Sequence, residues 1–189
     1  MKDLYRGSLV RFCNESPDLL AKSMAKWDRD TEQHRLADSD PAQLWSEKKL
    51  KDFIEKRANN NPGAFRFWVR TLADDTLIGG VGLWVNVWNH EDAWLGISIG
   101  ERDYWSKGYG TDIMRLALQY AFLELNLRRV SLGLHVYNER ALKTYQKVGF
   151  KLEGRSRGES FRDGIRFDTL WMGILREEWL ASAAGGEEK

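Results

Sequence analysis

The sequence YWSKGYGTD at residues 104–112, followed by the apolar run 113–123, decides the fold of this 189-residue chain. It predicts a tight glycine loop that opens directly into a buried helix, and the apolar segment 93–99 just before it predicts a strand. The first N–H groups of a helix lack intrahelical partners, and glycine lets the backbone approach an anion closely. A strand, a glycine loop and a helix in this order can therefore bind a phosphate.

Two common phosphate-binding loops do not match this stretch. The dinucleotide fingerprint G-x-G-x-x-G requires a third glycine, and Ile113 stands at that place. The nucleoside-triphosphate loop has glycine before lysine, whereas this sequence has Lys107 before Gly108. Taken alone, two glycines at a helix start also fit a helix without any ligand. The glycines within 79–82 lie inside a strand pattern and predict a bulge or a close backbone approach.

Two motifs resemble the GNAT superfamily of N-acetyltransferases. Residues 105–110 are similar to its acyl-CoA loop, Q/R-x-x-G-x-G/A, with Trp105 in place of the Gln or Arg. This tryptophan is typical of the branch that resembles RimJ/RimL-type protein N-terminal acetyltransferases, as are Glu-Gly, Asp-Gly and Glu-Trp pairs late in the chain. The second motif, N-x-x-A-x-x-x-Y-x-x-x-G-F, is matched at its full spacing by Asn138, Ala141, Tyr145, Gly149 and Phe150.

The resemblance covers nearly the whole chain and implies an α/β (α+β) fold in a single acyltransferase domain, residues 1–180, with a flexible tail at 181–189. The implied sheet is mixed and mostly antiparallel, with six to seven strands, helices on both faces and a splay between the fourth and fifth strands. The sequence patterns predict helices at 17–27, 41–58 and 111–126 and a further helix capped by Asn138. The polar segment 29–40 is predicted to be a loop.

Composition and charge limit the expected partners. The formal net charge of +1 gives no electrostatic reason to expect nucleic acid as the main partner. The first residues lack the apolar core of a signal peptide, and no apolar run is long enough to span a bilayer. Cys13 is the single cysteine, which fits a reducing cytoplasm. We therefore expect a cytoplasmic protein with no membrane or nucleic-acid partner, and a homodimer stays open.

The resemblance implies acetyl-CoA as the co-substrate. Residues 97–99 of the strand are expected to hydrogen-bond the pantetheine arm, and the N–H groups of residues 107–111 are expected to bind the pyrophosphate. The implied binding residues are Ile97, Ser98, Ile99, Trp105, Ser106, Lys107, Gly108, Tyr109, Gly110, Thr111, Asn138 and Ala141. The Lys107 side chain either adds positive charge to the pyrophosphate site or is simply solvated, and the sequence favours neither alternative.

Acetyl transfer to an amine needs a neutral amine, a polarised thioester carbonyl and a proton for the leaving thiolate. The resemblance implies Tyr145 as the general acid, and the alternative is that its ring only packs against the sulfur of CoA. Many relatives carry a glutamate base on the fourth strand, but Trp94 stands at that position here. Glu91 and Asp92 in the preceding turn are candidate bases, with a role as solvated turn residues as the alternative.

Other chemistries have little support in the sequence. His34, His90 and His135 lack the spacing of a metal site, so no metal is predicted. His135, on an apolar strand, is predicted to be a core or groove residue. An arginine cluster near the last hairpin predicts a solvated face or a surface that receives an acidic substrate. Its members are Arg155, Arg157, Arg162 and Arg166.

These observations together predict an acetyl-CoA-dependent N-acetyltransferase. An α-amine has a pKa of about 7.8 and a lysine amine one of about 10.4, so the missing glutamate favours a protein N-terminal amine, as in ribosomal-protein acetylation. A small-amine enzyme for a polyamine or an aminoglycoside is a close alternative, and a non-catalytic acyl-CoA sensor is a more distant one. An acidic acceptor groove would favour polyamines. A neutral aromatic groove, lined by residues such as Trp27, Trp45 and Trp84, would favour a peptide.

Overall fold

The computed structural model describes residues 3–58 and 62–184. Its strands are β1 Val10–Cys13, β2 Ala64–Thr71, β3 Leu77–Val87, β4 Asp92–Ile99, β5 Arg129–His135, β6 Lys151–Arg162 and β7 Ile165–Leu175. Its helices are α1 Pro17–Trp27, α2 Thr31–Ala37, α3 Glu47–Ala58, α4 Tyr109–Gln119, α5 Glu139–Lys147 and α6 Arg176–Ala184. Short 3₁₀ turns lie at Trp88–His90 and Arg102–Tyr104, and a π-helical turn at Tyr120–Glu124 continues α4.

Local capping starts α1 and α5 where the sequence predicts. Pro17 occupies the first position of α1, where its missing N–H is not needed, and the Ser16 hydroxyl accepts a hydrogen bond from the Leu19 N–H at 3.3 Å. Asn138 caps α5 in the same way, because its side-chain oxygen accepts from the Ala141 N–H at 3.1 Å. Both helix starts are therefore determined by short stretches of sequence.

The seven strands form one sheet in the order β1-β2-β3-β4-β5-β7-β6. Every neighbouring pair is antiparallel except β4 and β5, which are parallel. This parallel pairing runs only from Asp92 opposite Arg129 to Trp94 opposite Ser131. Beyond that point the two strands separate, and the second half of β4 loses its strand partner on that side. The expected mixed α/β fold, with a splay between its fourth and fifth strands, is confirmed.

Helices cover both faces of the sheet, as adjacent residues of β3 show. Leu77 packs in a cluster with Leu20 and Trp27 of α1, whereas Ile78 belongs to the large core that contains Ile113 of α4. Neighbouring side chains of a strand point to opposite faces, so α1 and α4 lie on opposite sides of the sheet. The larger core includes Ile78 and Ile113 with no exposed surface, which places the helix after the glycine loop at the centre of the fold.

The segment 29–40 is not the loop that the sequence predicts. It contains α2, which is capped by the Asp30 carboxylate that accepts from the Gln33 N–H at 3.1 Å. None of the side chains of α2 is buried, so the helix needs no apolar face. Its sequence therefore lacks the apolar periodicity from which a helix is predicted.

Three other helix boundaries differ from the sequence prediction. α3 begins at Glu47 rather than at residue 41, because the Ser46 hydroxyl accepts from the Lys49 N–H at 3.2 Å and caps it. α4 begins at Tyr109, because Gly108 adopts a left-handed φ of +89° at its N-cap. α6 continues to residue 184, so the start of the predicted tail is helical, and residues 185–189 lie outside the described part of the chain. None of the described helices is long and apolar enough to cross a membrane.

Candidate active site

A cavity of about 330 Å³ opens where β4 and β5 separate. Residues 94–99 of β4 and 133–135 of β5 form two of its walls, and the loop before α4 closes one end. Side chains from α5 and from the segment around α2 complete the lining. The cavity thus joins the two sequence motifs, one on the glycine loop and one on α5, at the splay of the sheet.

Most of the residues predicted to bind CoA line this cavity. They are Ile97, Ser98, Ile99, Trp105, Ser106, Gly108, Gly110, Thr111, Asn138 and Ala141. Lys107 is exposed and lies outside the lining. Tyr109 also lies outside it, and its ring packs edge to face on Tyr104 at 5.1 Å. The structure therefore places ten of the twelve residues around one space, and their binding of CoA stays a prediction.

The N-terminus of α4 has no side-chain cap within the described chain. Asp112, in its first turn, instead accepts hydrogen bonds from the N–H groups of Ser8, Leu9 and Val10 at 3.2, 2.7 and 3.1 Å. The first N–H groups of α4 therefore remain available, and Gly110 of the same turn lines the cavity. Free N–H groups and the helix dipole together favour an anion at this end of the cavity.

The Trp105 side chain connects the glycine loop to the end of β4 by a hydrogen bond. Its Nε1 donates to the Ile99 carbonyl oxygen at 2.8 Å. The Arg140 guanidinium lies 3.7 Å from the centre of the indole ring, and the Arg102 guanidinium lies 4.9 Å from it. Arg140 also lines the cavity, and its partial burial lowers its pKa, although an arginine stays charged at neutral pH. The sequence analysis missed Arg140, which occupies a variable position of the N-x-x-A motif.

Tyr145 of α5 lines the cavity and is 8% exposed. Burial raises the pKa of its phenol to about 12. Within the described chain its hydroxyl has no hydrogen-bond partner, while its ring packs against Phe150 at 6.0 Å. The phenol is therefore neutral, held by packing, and able to donate a hydrogen bond to a group in the cavity.

The two candidate bases lie away from the cavity lining. Glu91 is exposed in the turn before β4 with a left-handed φ of 52°, and its carbonyl oxygen accepts from the Arg128 and Arg129 N–H groups. Asp92 begins β4 and accepts from the Asn86 side-chain amide at 3.3 Å. Both residues precede the splay, whereas the cavity lining begins at Trp94. The assignment of either carboxylate as base stays a prediction that this arrangement does not favour.

The segment 30–40, here called the α2 strap, crosses one side of the cavity. Its Gln33 side-chain amide donates to the Ser98 hydroxyl of β4 at 2.6 Å. Arg102, which follows β4, forms ion pairs with Asp30 and Glu32 at the start of the strap. These contacts fasten the first half of the strap to the β4 side of the splay.

The second half of the strap is fastened to the β5 side and to the last hairpin. The Tyr137 hydroxyl donates to the Arg35 carbonyl at 2.8 Å, and the Asn138 side-chain amide donates to the Leu36 carbonyl at 3.0 Å. Arg162 of β6 donates to the Asp38 carbonyl at 2.9 Å. The strap thus bridges the splay through polar contacts, and no feature of its own sequence indicates those partners.

His135 is a groove residue, as its sequence position predicts. It is 5% exposed, lines the cavity, and stacks on Tyr137 with ring centres 5.0 Å apart. Its Nδ1 lies 2.7 Å from the Ser160 hydroxyl, and its Nε2 lies 3.3 Å from the Asp38 carbonyl. Among the described residues, no group of His, Cys, Asp and Glu side chains could hold a metal ion.

The arginine cluster of the last hairpin is mostly engaged in local contacts. Arg155 forms an ion pair with Asp168, and the Arg166 side chain donates to the Gly158 carbonyl at 3.0 Å. Arg162 contacts the α2 strap, and Arg157 is exposed. These contacts stabilise the hairpin and its junction with the strap.

The tryptophans that line the cavity differ from those that the sequence analysis suggested. Trp27 is buried and donates to the Glu101 carboxylate at 2.9 Å, and Trp45 packs against Phe53. Neither of them lines the cavity, and Trp84 does not line it directly. The lining tryptophans are Trp94, Trp105 and Trp171.

A family model described as "Acetyltransferase (GNAT) domain" matches residues 9–151. Spermidine N(1)-acetyltransferase of Escherichia coli K12 is 35% identical over 79 residues, which cover 42% of either chain. The N-acetyltransferase YnaD of Bacillus subtilis is 27% identical over 141 residues, which cover 74% of this chain and 79% of YnaD. The alignments with the first curated relatives span less than half the length of those proteins.

Solved structures also share the fold. The spermidine N-acetyltransferase from Vibrio cholerae, solved with CoA and spermine, superimposes with a TM-score of 0.75 at 27% identity. That match covers 90% of this chain and 96% of the Vibrio chain. The similarity therefore extends over most of the fold of both chains.

Proposed function

This chain belongs to the acetyltransferase (GNAT) family, and from that membership we propose that it is an acetyl-CoA-dependent N-acetyltransferase whose acceptor is the primary amine of a small molecule. The observation that carries the proposal is the cavity between β4 and β5, which has an uncapped helix N-terminus at one end and a buried phenol in its wall. The helix N-terminus suits the pyrophosphate of CoA, and the phenol can donate a hydrogen bond to the leaving thiolate.

The residues present fit acetyl-CoA. The second half of β4 offers backbone groups that no neighbouring strand pairs on the β5 side, so an extended pantetheine arm can add there as a further strand. The loop before α4 and the first N–H groups of that helix suit a pyrophosphate, and Arg140 adds a positive charge to the same lining. Acetyl-CoA supplies the activated acetyl group for direct attack by the amine.

Tyr145 is proposed to act on the leaving sulfur. Its pKa of about 12 lies above that of a thiol, which is about 8.5 when judged by cysteine. Full ionisation of the phenol by the thiolate would therefore cost about 5 kcal/mol. A hydrogen bond from the neutral phenol, strengthening as the carbon–sulfur bond breaks, stabilises the thiolate without that cost.

The amine itself must reach the cavity in its neutral form. No aspartate or glutamate of the described chain lines the cavity, and Trp94 occupies the β4 position where a glutamate is implied by the family resemblance. Removal of an ammonium from water without a counter-charge lowers its pKa, so entry into this cavity favours the neutral nucleophile. Deprotonation on entry, by water or a backbone carbonyl, then replaces a carboxylate base.

Two acceptor classes are supported by different observations. The similarity to spermidine N-acetyltransferases, over nearly the whole chain in the Vibrio cholerae case, supports a small amine. The neutral and aromatic lining supports a peptide N-terminal amine of the RimJ/RimL type, whose lower pKa of about 7.8 also suits a site without a base. We place the small amine first, because spermidine N-acetyltransferases are among the similar proteins in both the sequence and the structure comparisons.

The test is release of free thiol from acetyl-CoA in the presence of amine acceptors. The panel contains polyamines, aminoglycosides, small monoamines and peptides with free N-termini. Acceptor-dependent thiol release with small amines supports the proposal. Thiol release with peptides alone would instead show that the acceptor is a peptide N-terminal amine. Binding of acetyl-CoA in calorimetry without any transfer would point to an acyl-CoA sensor. Absence of binding would contradict the assignment of the cavity itself.

A further inference from the structure

Three tryptophans lie side by side on one face of the sheet. Trp84 of β3 is directly opposite Trp94 of β4, and the rings of Trp94 and Trp171 meet edge to face with centres 5.5 Å apart. Trp94 and Trp171 line the cavity, and the Trp171 Nε1 donates to the Ser156 hydroxyl at 2.7 Å, which holds that ring in place. We call Trp84, Trp94 and Trp171 the Trp wall.

Glycines on β3, β4 and β5 make room for the Trp84 and Trp171 rings of the Trp wall. A Cβ atom on Gly133 would lie 2.5 Å from the ring of Trp171, and one on Gly82 would lie 2.7 Å from the ring of Trp84. A Cβ atom on Gly96, which lines the cavity, would lie 3.2 Å from the same Trp84 ring. The Trp84 ring therefore covers Gly82 of its own strand and Gly96 of β4, and the Trp171 ring covers Gly133 of β5.

The described lining of the cavity at the Trp wall offers no negative charge to a ligand. No carboxylate of the described chain lines the cavity, whereas Arg140 does. Among the described carboxylates near the wall, Glu153 pairs with Arg129 and Asp168 pairs with Arg155. Asp92 of β4 lies outside the lining, accepts from the Asn86 side-chain amide, and keeps its buried Oδ1 without a hydrogen-bond partner. A second ammonium group on an acceptor would therefore lose its hydration here without a counter-charge.

We infer that the Trp wall is the surface that recognises the acceptor, and that it selects a primary amine on an apolar alkyl or aryl arm over an amine with further positive charges. The inference rests on the proposed acetyl transfer to a small amine and narrows its substrate class. An apolar arm gains by burial against the indole rings, and its single amine needs no counter-charge once it is neutral. Trp94, which stands where a carboxylate base would be, belongs to this recognition surface.

A matched pair of amines tests the preference. n-Hexylamine and 1,6-diaminohexane have the same length and differ by one distal ammonium, and phenethylamine supplies an aryl arm. We expect kcat/KM for n-hexylamine and phenethylamine to exceed that for the diamine by about tenfold or more. An equal or higher kcat/KM for the diamine with the wild-type protein would overturn the inference, because it would show that this surface accepts a second ammonium group.

Two substitutions in the wall are each expected to weaken this preference, and one substitution outside it serves as control. Trp171→Leu is expected to lower kcat/KM for phenethylamine about tenfold and to leave the KM for acetyl-CoA unchanged. Trp94→Glu introduces a carboxylate and is expected to raise the ratio of kcat/KM for the diamine over that for n-hexylamine. Trp88→Leu removes a half-exposed tryptophan outside the cavity lining and is expected to leave all three amines unaffected. An effect of Trp88→Leu equal to that of Trp171→Leu would overturn the inference.

Direct binding separates this inference from the proposed function. Calorimetry of the three amines against the protein saturated with CoA measures acceptor recognition without turnover. If no amine is acetylated, the proposed function fails, and the order of the binding constants still decides the role of the Trp wall. If spermidine is acetylated and Trp171→Leu leaves every amine affinity unchanged, the function stands and the inference is wrong.

Discussion

The two sides of the cavity are built in different ways. The side formed by the glycine loop and α4 rests on a helix whose Ile113 and Met114 are fully buried in the main core. The opposite side is closed by the α2 strap, whose helix buries no side chain and is held by polar contacts across the splay. The first side is thus part of the fold itself, whereas the second is an addition that can change without loss of the core.

Under the proposed activity, the rigid α4 side and the polar strap side of the cavity would bind different substrates. The side on α4 would bind the part of acetyl-CoA that every reaction cycle shares, and a rigid core keeps its N–H groups in place. The strap and the Trp wall face the space left for the acceptor. Substitutions on the α4 side are therefore expected to have the larger effects on stability and rate, and those on the strap side should mainly change the acceptor.

The largest effect is expected from Asp112→Ala. It would leave three backbone N–H donors at Ser8, Leu9 and Val10 without their acceptor, two of them partly buried and one buried, at a cost of about 3 kcal/mol or more. Urea unfolding of the variant measures the free energy of unfolding. Asp103→Ala, at an exposed carboxylate before the same helix, is the control and should change it by about 0.5 kcal/mol or less. Similar losses in both variants would contradict the anchoring role of Asp112.

The next effect is expected from Tyr145→Phe, which removes the phenol and keeps the ring packed against Phe150. We expect kcat to fall about 100-fold, equivalent to about 2.7 kcal/mol, with the Kd for acetyl-CoA unchanged. Steady-state kinetics and calorimetry measure the two quantities. Unchanged kcat would leave Tyr145 with a packing role only.

The pH dependence gives a separate test of the same phenol. Burial raises the pKa of Tyr145 to about 12, so its acid form is present throughout the neutral range and is lost only as the pH rises through that value. The rate should therefore increase with pH as the acceptor amine loses its proton, without a fall caused by Tyr145 below about pH 11. A falling limb near pH 9 that disappears in Tyr145→Phe would contradict the raised pKa.

The smallest effect on stability is expected from Arg162→Ala. It removes hydrogen bonds to the carbonyl groups of Asp38 and Ser39, at 2.9 and 3.1 Å, and so loosens the α2 strap. We expect a loss of about 1 kcal/mol in the free energy of unfolding and a rise of about threefold in the KM for the acceptor. The KM for acetyl-CoA should stay unchanged, and the exposed Arg157→Ala is the matched control. A rise in the KM for acetyl-CoA would mean that the two sides of the cavity are coupled.

The side of the cavity on α4 could be predicted from sequence because its determinants are local. Gly108 at the N-cap, the apolar run after it, and Asn138 at the start of α5 act within a few residues of their own positions. The start of α4 was misplaced by two positions, since the left-handed conformation of Gly108 lets the helix begin at Tyr109. The apolar patterns were likewise sufficient to predict the order of the seven strands and of α1, α3, α4 and α5, whereas α2 and α6 were not predicted.

The strap side could not be predicted, because its determinants are distant in the chain. Gln33 reaches Ser98, and Arg162 reaches Asp38, over separations of 65 and 124 residues. The Trp wall depends on the register of β3, β4, β5 and β7, which brings Gly133 under the ring of Trp171. The sequence around a glycine or a glutamine does not indicate which residue of another helix or strand it will contact.

The sequence by itself determined the glycine loop before α4 and the start of α5, since hydrophobic periodicity and capping act at short range. Its resemblance to a known family implied the fold and Tyr145 as the candidate acid. The tertiary structure alone decided which residues share the cavity. In the folded chain Glu91 and Asp92 lie outside the lining, whereas Arg140, Trp94 and Trp171 lie within it and Trp84 lies beside it. The polar segment 30–40 contains a helix and crosses one side of the cavity. The physical reason is that strand register and the splay of β4 from β5 are set by the packing of the whole sheet, and only that packing determines which distant side chains meet.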